Sequence, residues 1–479
     1  MKIAIYSHSI APSIDGVCRR FTAILHEMVR QGHDTVLFTM EDDPQDLPPS
    51  TKTITLDHVI FPSYPNKKVA WPTARAFHAI VATLGKEKPD VIHVVSDGFS
   101  NMFTLVGLWL NIPVVGSFHT DILDLLRTHN AFGFQKLIVQ TKEAVDSIVL
   151  DSCATTSSSF MKKLSQQGVH CEHIIITAVD LNMFHRNKRN EALRLEMMFG
   201  DTDGFLCVYV GRISNEKRLD VIINAMRELT GKSSAYLAIV GDGPSAPVYA
   251  QMHGKDSRIY CRPRFLSHAE LAEVYASSDI HVSASEFETL GNTVLEAFSC
   301  NIPVVVPRTQ GFRDTVRHET DGFLFHPADS EDARKYIQRL KDDAELRAGF
   351  GAQGRQAVST RTIQYVVEDL FEWYALGSKR RIARSSLQRF ASVFILSLLV
   401  PTGIFAFMCY NTINALLKPF ISFSEYNVIR QKADAAAAAT SQASSNDTGK
   451  SVDNSASSGS KSSASSSGSG SSRIKSKQK

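Results

Sequence analysis

Short apolar runs alternate with amphipathic stretches through most of the chain. Residues 3–6 and 35–39 have the length and composition of buried strands, and apolar side chains recur at helical spacing across 20–31 between them. The alternation continues with strand-like runs at 89–95 and 112–120 and a helix-like run at 99–110. Strands that are apolar throughout and joined by helices are typical of a parallel sheet covered on both faces. The sequence therefore predicts an α/β domain over residues 1–185.

A second series of the same kind follows. Its strand-like runs are 205–211, 235–240, 259–262, 280–283 and 303–306, and its helix-like runs are 218–229, 268–277 and 292–300. The stretch 184–204 between the two series is polar and irregular, which indicates a link. We expect a second doubly wound domain over 200–360, so that two Rossmann-like domains enclose a cleft.

Composition narrows the class of protein. A chain of 479 residues exceeds what one hydrophobic core supports, and a formal charge of +3 gives no reason to expect a nucleic-acid partner. The first residues have no signal-peptide core, so we expect the N-terminal body to remain cytosolic. The seven cysteines include no C-x-x-C pair, which favours reduced, buried thiols over zinc or disulfides.

The C-terminal region differs from the rest of the chain. Residues 361–389 are interpreted as a closing helix and a basic juxtamembrane segment, followed by the run 390–417, which carries no charged side chain. That run is long enough to cross ~30 Å of hydrocarbon, and the basic residues before it keep the N-terminal body cytosolic in a single-pass topology. A re-entrant hairpin is the alternative, and the endomembrane involved stays open. The Ser-rich tail 433–479 is expected to be disordered.

In the most specific motif seven residues separate Glu288 from Glu296, and they include a glycine turn that opens a helix. Backbone N–H groups of Gly291, Asn292 and Thr293 at a helix start would face a diphosphate. Glu296, further along the helix, is suited to accept hydrogen bonds from ribose hydroxyls. Two solvated helix carboxylates are the alternative interpretation of the pair alone.

Three weaker features precede that motif. Arg212 and Lys217 follow a strand end, where ligands bind in doubly wound sheets and where two cations can neutralise a departing diphosphate without a metal. Gly16 follows the first strand, where the backbone would approach a phosphate closely. His119 also follows a strand and is expected to face the cleft.

Two other patterns are interpreted as decoys. Asp201-Thr202-Asp203 matches a metal-binding D-x-D but lies in the polar link before a strand, so a turn is expected there. Gly241-Asp242-Gly243-Pro244 lacks the remainder of a dinucleotide fingerprint, which argues against a dehydrogenase. No metal and no cofactor are expected.

Over about residues 1–375 these motifs resemble the GT-B glycosyltransferases of family four, the retaining group with the E-x7-E signature. The wording around Ser285–Gly291 and Thr320–Phe325 is nearest to sulfoquinovosyl-diacylglycerol synthases and related glycolipid glycosyltransferases. One departure concerns the usual Asn-Gly-Val-Asp turn, which here is Thr177-Ala178-Val179-Asp180 without its glycine.

The resemblance implies a hexosyltransferase that moves a sugar from a nucleotide-sugar donor, expected to be a UDP-sugar, to a membrane lipid such as diacylglycerol. Its catalytic residues would be His119, Glu288, Arg212 and Lys217. Its substrate-binding residues would be Gly16, Arg212, Lys217, Gly291, Asn292, Thr293 and Glu296. Two alternatives stay open: a GDP-mannose-dependent mannosyltransferase acting on a phosphoinositide, polyprenol or glycan, and a non-catalytic nucleotide-sugar-binding membrane protein.

Overall fold

The structure is a computed structural model. It describes residues 1–13, 15–61, 64–71, 73–95, 100–120, 143, 145–231 and 233–384, together with 388, 391, 392 and 394.

The N-terminal half, here called the N-lobe, is built on a seven-stranded parallel sheet. Its strands are β1 (Lys2–Tyr6), β2 (Asp34–Thr39), β3 (Lys52–Thr55), β6 (Val91–Val95), β7 (Val114–Phe118), β8 (Ser152–Thr155) and β9 (His173–Ile174), in the spatial order β3-β2-β1-β6-β7-β8-β9. The strands β4 (His58–Phe61) and β5 (Tyr64–Ala70) form a separate antiparallel hairpin. The helices that accompany the sheet are Gly16–Arg30, Ala74–Glu87, Asn101–Leu110 and Ser158–Gln166.

The second half, here called the C-lobe, has a six-stranded parallel sheet. Its strands are β10 (Phe205–Val210), β11 (Ala235–Val240), β12 (Ile259–Cys261), β13 (Ile280–Val282), β14 (Val304–Pro307) and β15 (Gly322–Phe325), in the order β12-β11-β10-β13-β14-β15. Its helices are Leu219–Arg227, Ala246–Ala250, His268–Ala276, Asn292–Ser299, Gln310–Thr315, Ser330–Asp342 and Ala344–Val358.

Both sheets confirm the predicted α/β class with two Rossmann-like domains. In each sheet the order of strands reverses at one place, between β1 and β6 in the N-lobe and between β10 and β13 in the C-lobe. Crevices outside the carboxyl ends of such strands are where doubly wound sheets bind ligands. The segments that follow β1, β7, β10 and β13 therefore decide what the protein binds.

The stretch 184–204 is more ordered than the sequence indicated. It contains the 3-10 turn Arg186–Lys188 and the helix Glu191–Met197. Met197 packs into the C-lobe core, and Arg194 pairs with Asp279 at 2.8 Å. The prediction of an irregular link was wrong here because the apolar residues of this short helix are surrounded by polar ones.

A long helix, Ile363–Ala383, returns to the N-lobe and covers one face of its sheet. Trp373 and Tyr374 on this helix are fully buried in the N-lobe core. Near its end, Arg381 pairs with Asp151 at 2.6 Å, with both side chains buried. Two of the basic residues expected beside a membrane are therefore held by the N-lobe, since Arg380 also pairs with Glu172.

The predicted membrane segment 390–417 lies outside the described residues except for 391, 392 and 394, and the predicted disordered tail 433–479 lies wholly outside them. Within the part of the chain that the structure describes, no helix has both the length and the apolar character needed to span a bilayer.

The cysteines correct one expectation. Cys153 on β8 and Cys171 are joined as a disulfide, whereas the sequence favoured free thiols for both. Their spacing of 18 residues gives no motif that sequence inspection recognises. Cys18, Cys207, Cys261 and Cys300 are buried and free, as expected, and Cys409 lies outside the described residues.

Candidate active site

Two of the predicted site residues meet where the order of strands reverses in the C-lobe. The segment after β10 forms the 3-10 turn Asn215–Lys217, and the segment after β13 carries Ser285 and Glu288. Lys217 Nζ lies 3.1 Å from Glu288 Oε2 and 3.3 Å from Ser285 Oγ. Arg212 precedes this turn in the sequence and is exposed. Its backbone carbonyl accepts a hydrogen bond of 2.8 Å from the Tyr209 hydroxyl.

The glycine between the two glutamates opens a helix, as predicted. Gly291 has φ +88°, a left-handed conformation that residues with a Cβ rarely adopt, and the helix Asn292–Ser299 starts at the next residue. A Cβ on Gly291 would lie 2.8 Å from a ring carbon of Phe312. Gly291 is the N-cap and has no side chain that could accept hydrogen bonds from the first turn of the helix. The backbone N–H groups at this positive end of the helix therefore remain available for a ligand in the cleft.

A histidine that the sequence did not single out orients this first turn. His281 Nδ1 lies 3.0 Å from the Val208 carbonyl, which only accepts, so Nδ1 carries the proton. His281 Nε2 therefore accepts from the Thr293 hydroxyl at 3.1 Å. Burial lowers the pKa of His281 to about 4, which keeps the ring neutral and this arrangement fixed near neutral pH.

Glu296 is buried between the lobes and is not the solvated carboxylate of the alternative interpretation. Only 8% of the residue is exposed. Its Oε2 accepts from the Tyr275 hydroxyl at 3.0 Å, and its Oε1 lies 3.5 Å from Arg19 of the N-lobe. Burial raises the pKa of Glu296, and the nearby Arg19 and Tyr275 act in the opposite direction.

Gly16 faces the same helix from the N-lobe. It is the first residue of the helix Gly16–Arg30, whose N-cap Asp15 accepts hydrogen bonds from the backbone N–H groups of Val17 and Cys18. A Cβ on Gly16 would lie 2.7 Å from Nδ2 of Asn292. The glycine therefore leaves room for the Asn292 amide where the two lobes approach each other, and its φ is not in the left-handed region.

His119 follows β7 and is buried at the cleft, with both ring nitrogens occupied. Arg20 donates to Nδ1 at 2.6 Å, so the proton resides on Nε2, which donates to the Ser117 hydroxyl at 2.8 Å. Burial, and then the charge of Arg20, hold the pKa of His119 well below its usual range. In this arrangement the His119 side chain has no nitrogen available for a substrate hydroxyl, whereas its carbonyl faces the C-lobe and accepts from Thr289 at 3.3 Å.

The hydrogen bonds of His119 continue into the N-lobe core. The Ser117 hydroxyl donates to His93 Nε2 at 2.7 Å, and His93 Nδ1 donates to the Tyr374 hydroxyl at 2.8 Å. Burial lowers the pKa of His93 to about 3, so this ring is also neutral. The chain from Tyr374 to His119 fixes one tautomer and one ring orientation at the cleft.

The turn that lacks its usual glycine forms without strain. Asp180 Oδ1 accepts from the backbone N–H groups of Asn182 and Met183 at 2.9 and 2.8 Å. Ala178 has a negative φ that alanine adopts freely. The non-catalytic alternative would be favoured if the loss of the glycine at Ala178 distorted the cleft. The described residues of this turn show no such distortion.

The D-x-D decoy forms a turn before β10. Asp201 Oδ1 accepts from the backbone N–H of Asp203 at 3.0 Å, and Asp201 Oδ2 accepts from the Tyr236 hydroxyl at 2.9 Å. Both oxygens of this carboxylate are thus used by the fold.

Sequence reasoning missed Arg19, Arg20, Tyr275, His93 and His281. One signal was available for the two arginines, because cations near the start of a helix oppose the helix dipole and need another reason to be there. Tyr275 and the two histidines lie within apolar runs, where the pattern predicts core packing and gives no sign of a polar role.

Comparison with known proteins assigns the class. Residues 14–176 match the family described as Glycosyltransferase Family 4, and residues 200–357 match Glycosyl transferases group 1. Together these matches cover both lobes, in the order that the two sheets define. The chain therefore belongs to the GT-B glycosyltransferases and is a hexosyltransferase.

Similar proteins include glycolipid enzymes and mannosyltransferases. Sulfoquinovosyl transferase SQD2 of Arabidopsis thaliana is 28% identical over 63% of this chain, although the match spans only 58% of that protein. An alpha-monoglucosyldiacylglycerol synthase of Streptococcus pneumoniae is 26% identical over 68% of this chain and 75% of its own. A GDP-mannose-dependent alpha-mannosyltransferase of Mycobacterium tuberculosis is 26% identical over 81% of this chain and 99% of its own.

Solved structures agree in fold. The sucrose-phosphate synthase from Thermosynechococcus elongatus superposes with a TM-score of 0.62 at 20% identity, covering 78% of this chain and 98% of the other. Anabaena Alr3699/HepE, crystallised with UDP and glucose, gives a TM-score of 0.61 at 17% identity over 78% and 98%. These likenesses establish two facing Rossmann-like lobes.

Proposed function

We propose that the protein is a retaining glycosyltransferase that moves a sugar from a UDP-sugar to a membrane lipid such as diacylglycerol. One observation carries the proposal. Lys217, Glu288, the start of the Asn292–Ser299 helix and the buried Glu296 all face one cleft, opposite Gly16 and the carbonyl of His119. A lysine cation, free helix N–H groups and a buried carboxylate suit the diphosphate and the ribose of a nucleotide-sugar.

The donor's diphosphate is assigned to Arg212, Lys217 and the backbone N–H groups of Gly291, Asn292 and Thr293. In the reaction, the bond between C1 of the sugar and the diphosphate oxygen breaks, and C1 bonds to the acceptor oxygen. The acceptor's proton passes to the departing diphosphate, whose growing negative charge the two cations stabilise. Lys217 is held by Glu288 at 3.1 Å before the donor binds, so it is already positioned.

Glu296 is assigned to the ribose, and Glu288 to the sugar. The buried Glu296 keeps one oxygen on Tyr275, which leaves the side that faces Arg19 for two ribose hydroxyls. His119 takes part through its position on the opposite wall, where its ring closes the cleft and its carbonyl points at the sugar side. The resemblance counts His119 among the catalytic residues, and we assign the carbonyl of this residue, not its ring nitrogens, to the sugar side of the cleft.

The lipid acceptor is supported by two independent features. One of the similar proteins is named an alpha-monoglucosyldiacylglycerol synthase, and the chain continues past the described lobes into the uncharged run 390–417. We propose a single-pass membrane protein with the cytosolic lobes before that run and a lumenal tail, on an endomembrane such as the endoplasmic reticulum. Asn446-Asp447-Thr448 in the tail is a sequon, which is used only in the lumen. A glycosidase-sensitive gel shift lost in Asn446→Gln supports this topology, whereas a bare sequon with an antibody-accessible cytosolic tail favours the re-entrant hairpin.

A second candidate function is mannosyl transfer from GDP-mannose. It is favoured by the similar mannosyltransferase, since the match spans nearly all of that protein. The two candidates differ in the base of the donor and share the ribose and diphosphate contacts described above. Competition of UDP and GDP for the purified full-length protein, measured by isothermal titration, separates them. Tighter binding of UDP supports the first candidate, tighter binding of GDP supports the second, and binding of neither contradicts both.

A further inference from the structure

Two arginines meet the segment that connects the lobes, and neither has a carboxylate partner among the described residues. Arg20 extends from the helix Gly16–Arg30 and donates to the Thr177 hydroxyl, while the backbone carbonyl of Arg361 accepts from Val179 at 3.0 Å. Both arginines thus contact the same short segment, which connects the lobes. Among the residues that the structure describes, neither guanidinium has a carboxylate within ion-pair distance.

The contacts of Arg20 are unusual for a cation in this position. It donates to two neutral groups, the His119 ring and the Thr177 hydroxyl. Its Nε atom is buried and has no hydrogen-bond partner. Burial, followed by repulsion from Arg361, lowers the pKa of Arg20 to about 10, and burial also lowers the pKa of Arg361. Buried charges in folded proteins are normally paired, because an unpaired one loses hydration without compensation.

The adjacent arginine gives a direct contrast. Arg19 reaches the opposite wall and lies 3.5 Å from the Glu296 carboxylate. Arg20, one residue further along the same helix, turns into the N-lobe and reaches His119. Arg19 thus has a carboxylate partner, whereas Arg20 has none among the residues that the structure describes.

We propose that Arg20 and Arg361 form a subsite for an oxyanion carried by a substrate, distinct from the diphosphate site at Lys217. The inference rests on the proposed function, because it takes the cleft to hold both donor and acceptor. A guanidinium presents N–H donors in a planar fork that fits a phosphate, sulfonate or carboxylate group, and the hydrogen bonds of Arg20 to His119 and Thr177 leave part of that fork unused. The subsite lies beside His119 and therefore next to the reacting sugar, not next to the nucleotide.

Two sources can supply that oxyanion. One is a phosphate in the headgroup of the lipid acceptor, and the other is an acidic substituent on the transferred sugar. In either case the oxyanion would reach the N-lobe wall of the cleft, where Arg20 contacts His119. The shared chemistry is one tetrahedral or planar oxyanion held by a pair of guanidinium groups.

The first test is thermal unfolding of the full-length protein in sodium phosphate against sodium chloride at equal ionic strength. Phosphate should raise the Tm of the wild type, and the increase should be lost in both Arg20→Gln and Arg361→Gln. Arg227→Gln, an exposed arginine on the C-lobe, is the matched control and should retain the increase. If the increase is retained in both cleft variants, or is lost only in Lys217→Gln, the subsite is refuted. If Arg20→Gln does not fold, Arg361→Gln decides, since its guanidinium makes no hydrogen bond or ion pair within the described residues.

The second test identifies the source from kcat/KM. Phosphatidylcholine vesicles containing phosphatidylinositol are compared with vesicles containing diacylglycerol, and UDP-glucuronate is compared with UDP-glucose. Arg361→Gln should lower kcat/KM about tenfold or more for the anionic member of one pair and change the neutral member by less than about twofold. Equal losses for anionic and neutral members of both pairs would overturn the subsite. If no pair supports transfer, the proposed function fails while the unfolding test still decides whether the subsite exists.

Discussion

Replacing Glu296 by glutamine removes a negative charge from the cleft while keeping the shape of the side chain. In the wild type this carboxylate accepts from Tyr275 at 3.0 Å and lies 3.5 Å from Arg19. The amide oxygen of Gln can still accept from Tyr275. Its NH₂ group, however, faces Arg19 and the proposed ribose position with donors where the carboxylate offered acceptors.

The expected loss follows from the type of hydrogen bond that is removed. Hydrogen bonds to a charged group contribute about 1.5–3 kcal/mol in proteins. Glu296→Gln should therefore weaken binding of the nucleotide by roughly 10- to 150-fold. Because the ribose is common to UDP and GDP, the factor should be similar for whichever nucleotide the protein prefers.

The free energy of unfolding should not fall in Glu296→Gln, although nucleotide binding weakens. Burial raises the pKa of Glu296 above its ordinary value of 4.5, so ionisation of this group opposes folding once the pH exceeds that value. Glu296→Gln should then be at least as stable as the wild type near pH 7, and any advantage should vanish as the pH falls below about 4.5. Glu228→Gln, whose wild-type side chain is 72% exposed on the C-lobe, is the control and should change neither property.

Isothermal titration with the preferred nucleotide and thermal unfolding at pH 4 and pH 7 measure both effects. Unchanged nucleotide affinity in Glu296→Gln would refute the ribose assignment. A fall in Tm at pH 7 would instead show that the carboxylate stabilises the fold, contrary to the sign derived from its burial.

Further predictions concern the cleft and the closing helix. Lys217→Ala should lower kcat more than it raises KM, because the charge it meets grows in the transition state; an unchanged kcat contradicts that role. Activity should survive EDTA, and full loss reversed by Mg²⁺ or Mn²⁺ would revive a metal site. Gly16→Ala should lower kcat/KM by about tenfold, since its Cβ would lie 2.7 Å from Asn292 Nδ2, and a second change Asn292→Ala should relieve the clash without restoring full rate. Arg381→Gln should lower the free energy of unfolding by about 1–3 kcal/mol in a denaturant titration, because the buried carboxylate of Asp151 then keeps only the Val114 N–H and Arg384, 3.7 Å away, as partners; an unchanged free energy of unfolding would contradict this role of Arg381.

The alternation of apolar runs and helices was enough to predict both sheets. Strands buried on both faces leave a continuous apolar signal, so the run 280–283 corresponds to β13 and 292–300 to the Asn292–Ser299 helix. The turn at Gly291 could also be predicted, because glycine is the residue that most readily adopts the left-handed conformation found before that helix. Each of these features depends on residues that are neighbours in the sequence, which is why the sequence predicts them.

The arginine partners of His119 and Glu296 could not be predicted, because they come from segments that are distant in the sequence. Nothing local to His119 shows that Arg20 and Ser117 occupy its two nitrogens, since Arg20 is 99 residues away. The same holds for Arg19, which is 277 residues from Glu296 and changes that residue from a solvated carboxylate to a buried, paired one. The helix Glu191–Met197 was missed for a different reason, because its polar flanks masked the few apolar residues that anchor it.

Transfer of a labelled sugar into lipid shows directly whether the protein is a lipid glycosyltransferase. The full-length protein is incubated with vesicles containing diacylglycerol and, in parallel reactions, with UDP-sugars or GDP-mannose carrying a labelled sugar, and the chloroform extract is counted. We expect label in the lipid fraction from one nucleotide-sugar, with little or none in Lys217→Ala and wild-type incorporation in Glu228→Gln. Incorporation that survives unchanged in Lys217→Ala, or the absence of label from every donor while the protein remains folded, would contradict this expectation.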